Sequence, residues 1–225
     1  MKSNEYPPGP RSTLKRLPER GRYDRSTVHA ILDEGLVGHI GFAVKGQPFV
    51  IPTAYVRIDE TLYLHGSPAS RMLKELRKGV PVCVTVTHLD GIVLARSAFH
   101  HSMNFRSVVI FGTARSVDDL DEKKRVLDAL VEHVAAGRSS DARPGNPEEL
   151  AFTRILAVPI EEASAKVRSG PPIDDEADLM HPAWAGVVPL RLQAGQPIPD
   201  ERHPPTQEAP AYVTGYRRGA APPPE

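Results

Sequence analysis

At 225 residues the chain is long enough for one fully cored domain with an appendage. Its 28 Lys plus Arg balance 28 Asp plus Glu, so no whole-molecule field draws it to nucleic acid or an anionic membrane; any anion site must be built locally. The single cysteine, Cys83, excludes an internal disulfide and fits a reducing compartment, and no apolar run reaches the length a bilayer requires.

The opening MKSNEYPPGPRSTLKRLPER lacks the apolar stretch of a signal peptide, so a soluble, cytoplasmic protein is expected. Prolines gather in residues 7–18 and again from Pro171 onward. Proline removes a backbone donor and resists regular core elements. The proline-poor, ordered part is therefore roughly 22–170, and the expected division is a flexible arm (1–21), a domain (22–192) and a Pro-rich tail (193–225).

Asp24 or Ser26 caps a short helix whose Val28, Ile31 and Leu32 share one face, and Gly35 stops it. Leu36–Val44 reads as a strand, and Lys45-Gly46-Gln47-Pro48 turns the chain. Phe49–Ile58 is a second strand in which Pro52 marks an edge or a bulge. Asp59-Glu60 leads into a third, Thr61–His65, completing an antiparallel meander.

Gly66-Ser67-Pro68-Ala69-Ser70-Arg71 then opens a helix that buries Met72, Leu73 and Leu76, with Ser67 or Ser70 as its cap. A cation in the first turn opposes the helix dipole unless an anion sits there. Arg71 is thus a candidate phosphate ligand beside the free helix amides, the plain alternative being a surface arginine.

Two strands are expected next, one of them the apolar run Val82–Thr87. A polar segment carrying Arg96, Ser97, His100, His101, Ser102, Asn104, Arg106 and Ser107 follows, and a long strand spans 104–115. Asp118–Ala136 has a clear helical period, with Ser116 and Asp119 at capping-box spacing. Thr153–Pro159 and Ala163–Val167 read as the last strands. Six to eight antiparallel strands with two or three outer helices favour a barrel, which has no free edges.

Polar side chains concentrate in His65–Arg71, His100–Ser107 and Ser164–Arg168, where alternation puts Lys166 and Arg168 on one face. Three sources of cations and hydroxyls in a neutral chain point to a phosphorylated small ligand. His100 and His101 are adjacent and would point to opposite faces of a strand, and no HxH, HExxH or paired-Cys spacing occurs, so no metal is expected. GxSxG, GxGxxG and the P-loop are absent, which disfavours a serine hydrolase, a Rossmann site and an NTPase. Cys83 reads as a small buried apolar residue rather than a nucleophile, and His29, His39, His88 and His133 as ordinary surface or core residues.

The segments LYLHGSPASRMLKELRKG, CVTVTHLDGIVLARSAFHHSMNFRSVVIFG, EEASAKVRSGPP and WAGVVPL resemble the pyridoxamine 5′-phosphate oxidase-like flavin-nucleotide-binding family, in the branch that includes the nitroimidazole-resistance reductases. The resemblance spans about residues 20–192. It implies a mainly β fold, a split β-barrel with peripheral helices, and a homodimer holding FMN at its interface. By this resemblance Ser70 and Arg71, in a turn that also offers Ser67, match phosphate ligands, with Lys166 as a further anchor. Thr53, Ser102, Asn104 and Arg106 would contact the isoalloxazine, Arg106 stabilising the reduced anion, and His65 matches a histidine near the ring.

The chain departs from the oxidase itself at FVIPTAYVRI, which lacks an Arg…Lys pair, and at the C-terminal Trp and Arg, matched only loosely by Trp184 and Arg191. Pyridoxamine phosphate is therefore not the expected substrate. What is expected is an FMN-dependent oxidoreductase acting on a small molecule by hydride or electron transfer. The flavin would carry the chemistry, and no side chain is assigned as catalytic. The alternatives are a non-catalytic flavin-binding or sensor protein, or the same barrel holding haem or a deazaflavin.

Overall fold

The computed structural model describes residues 3–202 and 208–218. The meander expected from the turns is present: strands β2 (Val37–Val44), β3 (Gln47–Ile58) and β4 (Thr61–Gly66) are neighbours in one antiparallel sheet. The first hairpin turns on Lys45 and Gly46, both at positive φ (50° and 82°), the conformation that suits the twist of tight hairpins. β3 passes through Pro52 without a break. Pro52 faces His39 of β2 on one side, while pairing with β4 begins only at Tyr55, so its missing N–H falls where the strand has one neighbour.

After the short helix α2 (Arg71–Leu76) comes one strand of 14 residues, β5 (Pro81–Leu94), where two were expected. It returns antiparallel as β6 (Ser102–Thr113), with a register shift between Leu89 and Gly91. β8 (Arg154–Pro159) and β9 (Glu162–Arg168) complete the framework, flanked by the short strands β1 (Gly21–Arg22) and β7 (Arg115–Val117). The order is β1-β9-β6-β5-β2-β3-β4-β8-β7, and a tenth strand, β10 (Gly186–Pro189), pairs with β5 beside β2. The sheet is a split barrel that does not close. The expectation of no free edges is corrected: the path ends on two strands of two and three residues, short enough to offer little template for pairing.

The core follows from alternation. Ile40, Leu62, Leu64, Val84, Val108, Ile110, Leu156 and Val158 fill the inner face, and helix α1 (Arg25–Glu34) adds Val28, Ile31 and Leu32. On the opposite face, helix α3 (Leu120–Val134) lays Val126 and Leu130 against Val56, Tyr63, Ile155 and Ala157. Its cap is Asp119, accepting from the Glu122 amide at 2.7 Å, one turn later than the Ser116–Asp119 spacing suggested. Ser116 is already committed to β7, opposite Leu156. The stretch expected to loop from Arg138 contains a helical turn, α4 (Arg138–Asp141), and precedes α5 (Pro147–Phe152).

Both ends of the chain run back over this framework. Tyr6 is buried, its hydroxyl 2.5 Å from Glu60 Oε2 and 2.9 Å from His29 Nε2, with the Arg25 guanidinium 4.2 Å from its ring centroid. Beyond a further helical turn, α6 (Ala211–Thr214), Arg218 donates to the carbonyls of Glu34 (2.8 Å) and Asp33 (2.9 Å) and to that of His133. Those carbonyls end α1 and α3, where the helix dipoles are negative and a cation is welcome. Among the described residues no helix is long and apolar enough to cross a membrane.

Gly112 tests the packing of the sheet's far end. A Cβ there would lie 2.2 Å from the Pro159 carbonyl oxygen, so Gly112→Ala should cost about 1–3 kcal/mol of stability. Urea unfolding checks this, and an unmoved midpoint would show that β6 and β8 are not in contact there.

Candidate functional site

Strand parity decides which candidate side chains can meet. Residues opposite one another in a ladder share a face, and the face changes with every step along a strand. Val37 stands opposite Ala54, His39 opposite Pro52 and Thr85, Thr85 opposite Val109, and Val109 opposite Ser164. Ser107 faces Lys166 in the same set, and His65 joins it through Tyr63, opposite Val56. These residues line the outer face of the sheet. Thr53 lies opposite Gly38, and Ser102, Asn104 and Arg106 share the parity of the buried Val108, so these four point the other way.

The outer face carries several exposed apolar side chains among its polar ones. Val50 (66% exposed), Met103 (51%), Val37 (49%) and Leu89 (45%) lie on it, around the exposed His39. Scattered exposed apolar residues are ordinary, but a contiguous sheet face of them marks an interaction surface. At its α3 side His65 is half-buried, and its Nδ1 is buried without a hydrogen-bond partner. Burial pushes the His65 pKa below the ordinary histidine value, which keeps the ring neutral near pH 7.

The turn between β4 and α2 is held by its own hydroxyls. Ser67 Oγ accepts from the Ala69 amide at 3.1 Å, and Ser70 Oγ accepts from the Leu73 amide at 3.4 Å as the cap of α2. Arg71 is exposed and has no carboxylate within ion-pair distance; its guanidinium lies 5.8 Å from the Phe49 ring centroid. Among the described residues it is a cation without a counterion.

Arg106 is the opposite case. It donates to Glu34 at 2.5 and 2.9 Å and to Asp90 at 2.8 and 3.0 Å, a fork-to-fork clamp on two carboxylates. The clamp ties the end of α1 to the irregular step of β5, and it holds Glu34 below the ordinary carboxylate range. Asn104 donates to the Gly170 carbonyl at 3.1 Å and accepts from Arg168. Ser102 sits opposite Val93 on the core side, and Lys166 Nζ donates to the Arg16 carbonyl of the N-terminal arm at 3.2 Å. The structure thus gathers Ser67, Ser70 and Arg71 in the turn that follows His65 at the end of β4. It leaves Lys166 across the sheet and places Thr53, Ser102, Asn104 and Arg106 on the inner face.

Sequence reasoning missed three arrangements. Arg168 is buried, with its guanidinium on Asn104 and on the carbonyls of Gly170 and Pro171 and no carboxylate nearby. Asp174, its side chain 2% exposed, receives both the Arg96 amide and the Arg96 guanidinium at 2.8 Å, which pins the segment after β9 onto the loop after β5. That docking brings His100, Asp175 and Asp178 together, with ligand atoms within 4.8 Å of one another on the surface. The side-chain partners lie 64 to 78 residues apart, which leaves no local spacing signal.

With this geometry in place, the chain can be set beside known proteins. A family model described as pyridoxamine 5′-phosphate oxidase matches residues 24–167. The flavocytochrome Anf3 from Azotobacter vinelandii is 41% identical, with 94% of this chain and 99% of that one covered at a TM-score of 0.87. An FAD- and haem-binding protein from Mycobacterium smegmatis is 34% identical over 88% of this chain and 98% of that one, at 0.85. A putative 5-nitroimidazole antibiotic resistance protein from Bacteroides thetaiotaomicron, 23% identical over 65% of this chain and 86% of that one, shares the fold at 0.56. No curated protein matches.

The Arg106 clamp predicts a pH signature. Because Glu34 is held below its ordinary value of 4.5, its stabilisation is complete above that pH and is lost as pH falls through the folded-state value. Glu34→Gln should therefore be less stable than the parent at neutral pH, with the gap narrowing on acidification below 4.5. Chemical melts across that range check it; a constant gap would detach the clamp from Glu34 ionisation.

Proposed function

This chain belongs to the pyridoxamine 5′-phosphate oxidase-like family, and on that premise we propose that it is a flavin-binding redox protein that also accepts haem. The two similar proteins named as flavocytochrome and as FAD- and haem-binding support the reading. The second favours FAD over the FMN implied by the sequence motifs, and both support haem as a companion of the flavin rather than its replacement. In this chain the carrying observation is the β4–α2 junction. Near its end β4 carries a half-buried histidine, His65, with an unbonded buried nitrogen, and the turn after it leads to Arg71, an exposed cation with no carboxylate within ion-pair distance among the described residues.

Those residues fit the two groups. Arg71 supplies the positive charge that a flavin phosphate needs, on a turn already braced by Ser67 and Ser70. His65 offers a neutral imidazole nitrogen, the donor that haem iron takes, and its orphaned Nδ1 is the kind of buried polar atom a bound group satisfies. A bound flavin supplies hydride or single-electron transfer, and haem supplies one-electron chemistry. The protein's own part is to anchor the phosphate, hold the imidazole neutral and exclude water. We assign the exposed apolar sheet face to a second copy of the chain, which would bury Val37, Val50, Leu89 and Met103 and shelter the site from water. The substrate is then a small molecule reduced or oxidised at this interface.

Absorption spectra of the purified protein test the cofactors. Arg71→Ala should lower flavin retention by about tenfold or more, the scale of a charged hydrogen bond, while His65→Ala should remove the haem band and keep the flavin. Flavin retention unmoved by Arg71→Ala would take that residue out of the site. Anaerobic NADH or NADPH should bleach the flavin if it turns over; a flavin that stays oxidised with both donors favours the non-catalytic reading. Val50→Glu should convert a dimer into a monomer in light scattering, and an unchanged mass would place the interface elsewhere.

A further inference from the structure

A second cationic site lies at the other side of α2. A cavity of about 120 Å³ opens where α2 ends, β7 ends and β8 begins, and three cations line it: Arg77, Lys123 and Arg154. They come from the end of α2, from α3 and from the start of β8, so the fold rather than local sequence gathers them. Lys123 and Arg154 are half-buried. None of the three has a carboxylate within ion-pair distance among the described residues; Lys123 Nζ reaches only the Thr153 carbonyl, at 3.5 Å. Asp118, the one acid on the wall, pairs with none of them. The remaining polar wall includes the Ser116 hydroxyl, which has no hydrogen bond to protein among the described residues.

Three like charges lining one small cavity repel each other, and water screens the two half-buried ones, Lys123 and Arg154, less than the exposed Arg77. Other partly buried arginines of this chain meet carboxylates: Arg106 those of Glu34 and Asp90, Arg96 that of Asp174 and Arg25 that of Glu60. Here Asp118 shares the wall but lies beyond ion-pair distance, and no other carboxylate pairs with the three cations among the described residues. Two guanidinium forks, an ammonium and a hydroxyl donor around a volume of this size suit a tetrahedral oxyanion. We infer that this cavity is a binding site for a phosphate group.

The cavity shares Pro68 with the Ser67–Ser70 turn, and Arg154 is paired with Gly66 at the start of that turn. A phosphate there belongs either to the far end of a nucleotide whose flavin lies on the outer face or to a separate phosphorylated ligand. The site itself does not rest on the flavin reading, because its cations, its volume and their lack of an ion pair among the described residues stand without it.

Titration of inorganic phosphate into the full chain freed of nucleotide, followed by calorimetry and ³¹P line broadening, tests the inference. Saturable binding is expected, weakened about tenfold or more by Arg77→Gln and by Arg154→Gln, and unchanged by Lys74→Gln, an exposed α2 residue outside the cavity. Arg77 is exposed, so its variant folds even if Arg154→Gln does not. Repeating the titration with FAD at saturation separates the sources: competition assigns the cavity to the nucleotide's own phosphate, and undiminished binding assigns it to a second ligand. Absence of saturable binding, or binding indifferent to Arg77→Gln, would overturn the proposal.

Discussion

Side-chain alternation along register-locked strands is the constraint on which this structure rests. From β4 through β3, β2, β5 and β6 to β9, each ladder fixes which residues share a face. One parity fills the core with Ile40, Val84, Val108 and Ile110; the other leaves Val37, His39, Val50 and Met103 open. Slipping any one ladder by a residue would exchange the two sets, bury His39 and expose Val84. The one shift in the β5–β6 ladder falls beyond the shared core, between Leu89 and Gly91. There it turns Asp90 toward Arg106, and the strand beyond it receives β10.

Charge placement follows the same plan. The chain is neutral, and many of its arginines are spent on joining segments far apart in sequence: Arg106 to α1, Arg96 to the segment after β9, Arg57 to Asp33. These pairs are partly exposed, so each contributes modestly to stability and mainly fixes where its segment lies. Four cations without an ion pair among the described residues flank one short helix. Arg71 flanks the start of α2, and Arg77, Lys123 and Arg154 meet near its end. A short helix thus sits between two places where positive charge has no ion-pair partner among the described residues.

The chain ends serve the domain. A proline-rich segment cannot form a core strand, but it can carry single anchors into prepared positions. Tyr6 does this at Glu60 and His29, and Arg218 at the carbonyl ends of α1 and α3. Between them, β10 extends the edge of β5 that β2 leaves unpaired. Each anchor adds one contact at a point where the framework offers an unsatisfied polar group or strand edge.

The amino-acid sequence by itself determined the local elements. Apolar periodicity, turn residues and caps marked α1, the β2–β3–β4 meander, α2 with its Ser70 cap and the body of α3, since those signals act within a few residues. Its motifs also carried the family and the turn that holds Ser67, Ser70 and Arg71. Tertiary structure alone decided which polar residues meet. Arg106 and Asn104 belong to a motif read as flavin-facing, yet their parity turns them inward to Glu34, Asp90 and Arg168. The cavity of Arg77, Lys123 and Arg154 and the pinning of Asp174 by Arg96 are assembled across dozens of residues. Short-range pattern fixes the direction of each side chain on its own element, but a site is a coincidence of several elements, and only the register between strands fixes that.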